Sequence, residues 1–598
     1  MSEYKVPLRD LQFVRDEVLD FYALWRTLPG CEDATEDIVS AILNEEVKFC
    51  ENELAPLNQS GDEEGCTWHK DGSVTTPRGF KEVYQAYVKG GWPMLSVPLE
   101  HGGQGLPDSL SLVFNEMKGS ANWSWNMYPG LSKSAMHLLQ EHASEEQKKT
   151  YLRPLVEGTW MGTMCLTEAH CGTDLGLLRT KAEPQDDNTY KISGTKIFIS
   201  AGEHDMAENI IHLVLARLPD APDGTRGISI FIVPKLLADG SRNAVTCGSL
   251  EHKMGIHGNA TCVMNFDGAR GYLIGEPNRG LNYMFTMMNS ARIGIAIQGL
   301  THAEVALQLA TSYARERLQM RSLTGPKNPD GAADPIIVHP DVRRMLLTCK
   351  AFAEGGRLMI NYLSKYTDIE TRSHDEAAVS EAGDLLSLLT PVAKAFLTET
   401  GFECANLGMQ VLGGHGYIRE WGAEQNVRDS RISMLYEGTT GIQALDLIGR
   451  KVLGSGGELL KRFTNIITGF SQDNAGHETI GKFVEILTDL VDEWGEVTAD
   501  IGVRAVKNAD EVGGVSVDYL MYSGYVSLAF FWALAAKTAA DKLEAGTDEQ
   551  LYYKTKLQTA TFYYERILPR TRTHVLNMKS PVSTLMDVDE SCFVSVGN

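Results

Sequence analysis

Residues 410–443 read QVLGGHGYIREWGAEQNVRDSRISMLYEGTTGIQ, and the fold is read outward from this stretch. It opens with Gly413, Gly414 and Gly416, residues that permit tight turns and close approach of backbone to a ligand. Arg428-Asp429 follows, then Tyr436-Glu437-Gly438-Thr439. A glycine cluster alone carries little information. This one gains weight from the motifs that follow it in order. Taken singly, Glu437 reads as an ordinary carboxylate ahead of a helix starting near Thr439. In this company it reads as a candidate base.

Upstream, helical spacing places Ile293, Ile297, Leu300 and Leu307 on one stripe of a long helix from Leu281 to near Arg317. Before it, 190–200 alternates as a strand with a turn at Gly194, and 210–217, 227–234 and 261–266 are further short β-rich runs. Strands at this spacing predict a compact antiparallel barrel or sandwich. Residues 7–54 read as mostly helical, with Ile38, Ile42 and Val47 recurring at helical spacing. Residues 58–79 read as a loop, 80–91 as a helix, and 98–105 as a breaker cluster. Downstream, 454–457 (GSGG) reads as a hinge before a helical tail.

The expected class is therefore α+β. Its parts are an N-terminal extension (1–38), an N-terminal helical domain (39–159), a middle β domain (160–280), a helical domain carrying Glu437 (281–453) and a C-terminal helical domain (454–598).

At 598 residues the chain is too long for one ordinary core. Hydrophobic residues at 43% and charged residues at 22% mark it as globular. The net charge of −23 argues against a general nucleic-acid binder. Ten dispersed cysteines without a CxxC pair point to free thiols in a reducing compartment, and the cytoplasm is expected. The charged N-terminus has no apolar run of the secretory kind. Around 526–536 the most apolar segment is too short for a membrane span and reads as a buried or subunit-facing helix. His252, His257 and Cys262 flank a turn, so no metal site is expected.

From Gln410 to Gln443 the sequence resembles the acyl-CoA dehydrogenase family, whose YEGT glutamate removes the α-proton of a thioester. That residue is Glu437 here. The resemblance extends to Cys165-Leu166-Thr167-Glu168 with Gly172-Thr173-Asp174, which is similar to the family's first flavin loop. It extends also to Lys196-Ile197-Phe198-Ile199-Ser200, where an aromatic packs on the flavin and a hydroxyl reaches its rim. Arg317 falls where the family places an arginine on the FAD pyrophosphate, a task its planar fork suits. The resemblance thus implies FAD contacts from Met164, Leu166, Thr167, Gly172, Thr173, Phe198, Ser200, Arg317, Gln319, Gln410, Gly413, Gly414 and Thr439. For substrate it implies Thr173, Asn289, Arg292 and Gly438, with Asn289 one helical turn before Arg292. Three positions depart from the pattern: Ala169-His170, Met320 and Gly441.

The segments TTPRGFKEVYQAYVKGGW, HCGTDLGLLRTKA and EHKMGIHGNATC, with the long tail, resemble the branch of 3-methylmercaptopropionyl-CoA dehydrogenases and bacterial fatty acyl-CoA dehydrogenases. The resemblance implies a homodimer that oxidises a medium- or long-chain saturated acyl-CoA to the trans-2-enoyl-CoA and passes electrons to an electron-transfer flavoprotein. A 3-methylmercaptopropionyl-CoA substrate, an oxygen-using oxidase and a non-catalytic flavoprotein that binds nucleic acid are the alternatives. Trp123, Trp125 and Tyr128 are expected to crowd one side of the acyl pocket, and the Met287-Met288 pair to pack.

Overall fold

The computed structural model describes residues 4–593. Helices form both ends and a β domain lies between them. Nine strands are present among the described residues: β1 (Thr67–Trp68), β2 (Val74–Thr75), β3 (Trp160–Cys165), β4 (Lys181–Pro184), β5 (Tyr190–Ser200), β6 (Asn209–Arg217), β7 (Ile228–Pro234), β8 (Val245–Leu250) and β9 (Thr261–Leu273). The pairings β6–β4, β4–β5, β5–β9, β9–β7 and β7–β6 close a ring, with β3 added on β6 and β8 on β9. This is a barrel, but not a purely antiparallel one. β3 and β4 both run parallel to β6. A parallel pair needs a crossover, and the β4–β5 hairpin supplies it by standing between β3 and β6 in the chain.

Three sequence expectations are corrected here. Gly194 makes no turn: β5 runs unbroken through it, and an added Cβ there would meet Thr180 at 2.5 Å. Residues 58–79 are not all loop, because they hold the helix Leu57–Glu64 and the β1–β2 hairpin. On the helix Glu36–Lys48 the buried face carries Val39, Leu43 and Glu46, while Ile38 is exposed.

The helical core rests on three long helices, Gly280–Glu316, Pro340–Arg372 and Glu376–Leu412. The first extends the predicted stripe and buries Ile297 and Leu300. Gly299 and Gly401 let it cross the third at backbone contact: a Cβ on Gly299 would lie 2.1 Å from the Leu397 carbonyl oxygen. Gly456 and Gly457 adopt positive φ before the helix Glu458–Asp473, so the predicted hinge is a capped helix start.

The apolar helix Asp510–Glu544 has 89% of its most apolar window buried. It belongs to the protein core, as the sequence indicated. Trp532 on it donates to the Ala351 carbonyl at 3.1 Å, which seats the tail on the Pro340–Arg372 helix.

Beneath the tail lies a buried charge cluster. Arg357 bonds Asp10 from the N-terminal extension, Glu116 at 2.8 Å from the helix Asp108–Ala121, and Glu304 at 2.8 Å from the long helix. Lys556, from the helix Gln550–Phe562, bonds Asp10 and also Glu354 at 2.8 Å. The two ends of the chain meet again on the surface, where Arg9 pairs with Glu549 at 2.8 Å.

Candidate active site

Glu437 lies in the short turn between the helix Ala423–Arg431 and the helix Thr440–Leu445. Thr439 caps the latter, accepting from the Ile442 N–H at 3.3 Å. Glu437 has φ 55° and Gly438 has φ 92°. Left-handed backbone is open to glycine, but for glutamate it is strained and must be held by its surroundings. The Glu437 carboxylate makes no hydrogen bond or ion pair among the described residues. Burial pushes its pKa up to about 6, and the nearby positive charges of Arg292 and Lys394 oppose that rise. A partly buried, unpaired carboxylate with a raised pKa is what a general base needs.

The wall beside it is aromatic and aliphatic. Tyr436 bonds Gln298 of the long helix through its hydroxyl. It packs in a cluster with Trp123, Met127, Ile256, Ile295 and Ile432. Of the three aromatics expected to crowd the pocket, only Trp123 belongs to this cluster. Trp125 and Tyr128 are fully buried in the main core. Met287 is buried, and it packs with Met288 against the middle domain as expected. Asn289 accepts from Arg292 at 3.4 Å, so the two do share a helix face, and Arg292 Nε has no partner among the described residues.

The barrel contributes the opposite side. Phe198 has φ 59°, sits in the β-bulge between Lys196 and Ile199, and is 59% exposed. A strained backbone that presents a bare aromatic ring fits a planar ligand face. The bulge is tied to the first loop, since the Ile197 N–H donates to the Thr167 carbonyl at 2.9 Å. Glu168 locks that loop from within: it accepts from Thr180 Oγ1 at 2.6 Å, the Arg179 N–H at 2.8 Å and Lys196 Nζ at 2.8 Å. Thr167 and Ser200 are part-exposed, Gly172 and Thr173 exposed, Met164 half-buried and Leu166 buried. Cys171 is buried in the same loop, and burial raises its thiol. His257 is committed elsewhere, to Asp62 at 3.0 Å and the Lys253 carbonyl at 2.9 Å.

Arg428-Asp429 has a positioning role. Asp429 accepts from the Ile256 N–H at 2.5 Å, and Arg428 pairs with Asp62 at 2.6 Å. The pair thereby fastens the 254–258 loop of the barrel to the helices that carry Glu437.

The remaining predicted flavin contacts are elsewhere. Arg317 caps the far end of the long helix, 25 positions beyond Arg292, which at 1.5 Å per residue is about 37 Å. Its guanidinium has no partner among the described residues. Gln410, Gly413 and Gly414 gather at that same end, where His415 Nδ1 meets the Tyr313 hydroxyl at 2.9 Å. Gln319 lies there too, its N–H bonded to the Asp334 carbonyl. A Cβ on Gly413 or Gly414 would touch nothing, whereas one on Gly416 would strike the Met409 carbonyl, so Gly416 serves packing. The predicted flavin contacts thus fall into two groups, one on the barrel loop and its bulge and one at the end of the long helix.

Residues absent from the sequence reading include Lys394 and Gln443, which contact the Glu437 turn. A signal for Lys394 existed: it is the lone charge in the apolar run Leu385 to Leu397, LLSLLTPVAKAFL.

A barrel between helical domains, an exposed aromatic on a bulge and an unpaired carboxylate on a strained turn fit an enzyme that holds a planar cofactor beside a general base. Family models match along the chain: acyl-CoA dehydrogenase N-terminal domain at 39–159, middle domain at 163–269, C-terminal domain at 278–453 and acetyl-CoA dehydrogenase C-terminal like at 460–589. The chain is 41% identical to a 3-methylmercaptopropionyl-CoA dehydrogenase of Ruegeria pomeroyi, over 94% of this chain and 96% of that one. It is 32% identical to the broad-specificity linear acyl-CoA dehydrogenase FadE5 of Mycobacterium tuberculosis, over 99% and 100%. An acyl-CoA dehydrogenase of Bacillus anthracis, solved with FAD, superposes with a TM-score of 0.74 at 20% identity, covering 95% and 91%. The chain belongs to the acyl-CoA dehydrogenase family and is an FAD-dependent enzyme.

Proposed function

We propose that this enzyme oxidises 3-methylmercaptopropionyl-CoA at its α,β-bond, with Glu437 as the base. The observation that carries the chemistry is the unpaired, partly buried Glu437 carboxylate facing Arg292. Glu437 takes the α-proton. FAD, when bound, would supply the two-electron acceptor for the β-hydrogen, and Phe198 and the Thr167 loop would hold it. The N–H groups of Glu437 and Gly438 make no hydrogen bond among the described residues, so they are free to receive the thioester carbonyl as negative charge develops on it. Trp123 and Tyr436 exclude water. Protonation of Glu437 stops the reaction, so activity is lost as pH falls through about 6.

The substrate reading departs from the medium- or long-chain preference expected from sequence. It is supported by the 41% identity along nearly the whole chain. The decisive measurement compares kcat/KM for 3-methylmercaptopropionyl-CoA and octanoyl-CoA, with electron-transfer flavoprotein as acceptor. A preference of at least about tenfold for the former is expected, since even one methylene commands about that much in an apolar pocket and octanoyl is longer by about three chain atoms. A preference for octanoyl-CoA restores the fatty acyl reading, and stoichiometric peroxide makes the enzyme an oxidase.

The active unit proposed is a homodimer. Arg317, Gln319, Gln410, Gly413 and Gly414 of one protomer then serve the flavin seated against Phe198 of the other. This accounts for a bare arginine about 37 Å from Arg292 along one helix. Light scattering of the holoenzyme is expected to give twice the chain mass, and a monomer with full FAD content would refute the shared site.

A further inference from the structure

The turn that carries Glu437 is held from behind by two side chains. Gln443 Nε2 donates to the Glu437 carbonyl at 2.9 Å. Lys394 Nζ donates to the next carbonyl, that of Gly438, at 2.5 Å. Both side chains are fully buried. In a trans peptide the N–H points away from the carbonyl of the same plane. Pinning these two carbonyls inward therefore turns the Gly438 and Thr439 N–H groups outward. It also stops the left-handed pair at 437 and 438 from relaxing.

Lys394 is unusual for a buried lysine. It makes no ion pair among the described residues, and its one hydrogen bond goes to a neutral carbonyl. The charged groups facing it are Glu437, Arg292 and Glu399. The Glu399 carboxylate already accepts from Thr440 at 2.6 Å, a second tie between the Glu376–Leu412 helix and this turn. Burying a cation without a carboxylate partner is costly. We infer that Lys394 is a positioning residue for the reaction: it holds the Gly438 carbonyl, keeps the Glu437 turn in its strained form and sets a fixed positive charge beside the base. The inference rests on Glu437 being that base.

Burial lowers the Lys394 pKa to about 8. The ammonium is therefore charged through the range in which Glu437 titrates. Arg292 and Tyr436 are the other ionisable groups against Glu437. Loss of the Lys394 charge leaves burial less opposed and moves the carboxyl upward.

The test isolates proton abstraction from hydride transfer. An acyl-CoA with sulfur at the β position has α-protons but no β-hydrogen to lose. Its α-proton exchange in D2O, followed by NMR with holoenzyme, is expected to rise through pH of about 6 in the parent. In K394M the rate at pH 7 is expected to fall by about tenfold or more, the scale of a misplaced base. Its midpoint is expected to rise by about half a pH unit or more. Q443M is expected to slow exchange with the midpoint unmoved, because it removes a donor but no charge. If K394M does not accumulate as holoenzyme, K394Q keeps an amide donor without charge and is expected to show the same midpoint shift. A Lys394 variant with parental rate and midpoint overturns the inference while leaving Glu437 as the base. Absence of exchange in the parent overturns the base assignment itself.

Discussion

Glu437→Gln is expected to reduce turnover by up to about 10⁴-fold, the upper range for a lost general base. The change is nearly isosteric, so FAD content and the barrel loop are expected to stay as they are. The sign for stability is equally definite. The folded carboxyl has its pKa raised from 4.5 to about 6. Above pH 6 the ionised group therefore weighs against the folded state, and a neutral amide does not. At pH 7 the variant is expected to be as stable as the parent or slightly more so. Stopped-flow bleaching of the flavin by substrate gives the rate, and thermal unfolding gives the stability. Bleaching at the parental rate would refute the base assignment. Loss of turnover together with loss of flavin would point to a structural role.

Arg357→Leu is expected to be the most destabilising single change, at roughly 3–5 kcal/mol, the cost of removing one partner from a buried ion cluster. The arginine is fully buried and joins Asp10, Glu116 and Glu304, three carboxylates from three separate elements. Without it Glu116 and Glu304 lose their cation, while Lys556 continues to bond Asp10 and Glu354. Burial already raises Glu116 to about 7, so this carboxyl is the first to take up a proton in the variant. Denaturant unfolding followed by tryptophan fluorescence measures the loss. A shift below about 1 kcal/mol would mean that water reaches the cluster and that the helices do not depend on it.

The site was legible in sequence to the extent that it is contiguous. Gln410 to Gln443 carries the glycines, the Arg-Asp pair and the base within one stretch, and the helix cap at Thr439 follows from local chemistry. The contacts that make the base work are not local. Lys394 reaches Gly438 across 44 residues, and Asp429 reaches Ile256 across 173. Only the packed helices bring these together. Periodicity found the helix Glu36–Lys48 and placed Ile42 and Val47 against the core, but it missed the centre of the packed face at Val39 and Leu43 and left Ile38 exposed, because buried Glu46 interrupts that stripe. Strand spacing gave the barrel, while the parallel pairings on β6 depend on a crossover that spacing does not encode. Trp125 and Tyr128 looked like pocket residues beside Trp123, yet a helix turns its side chains by about 100° per residue and sends them into the core. Arg317 was found by its position at the end of the long helix.

The cluster around Arg357 also sets a timetable. Asp10 is made more than five hundred residues before Lys556. Until the ribosome releases that last stretch, a nascent chain holds Asp10, Glu116, Glu304 and Glu354 against Arg357 and Lys350 alone, with the bed of the Asp510–Glu544 helix uncovered. Lys556 follows Arg357 by 199 residues, so at about 5–20 residues per second this interval lasts about 10–40 s. Closure of the charge cluster therefore waits for Lys556, which supplies the second cation to Asp10 and Glu354.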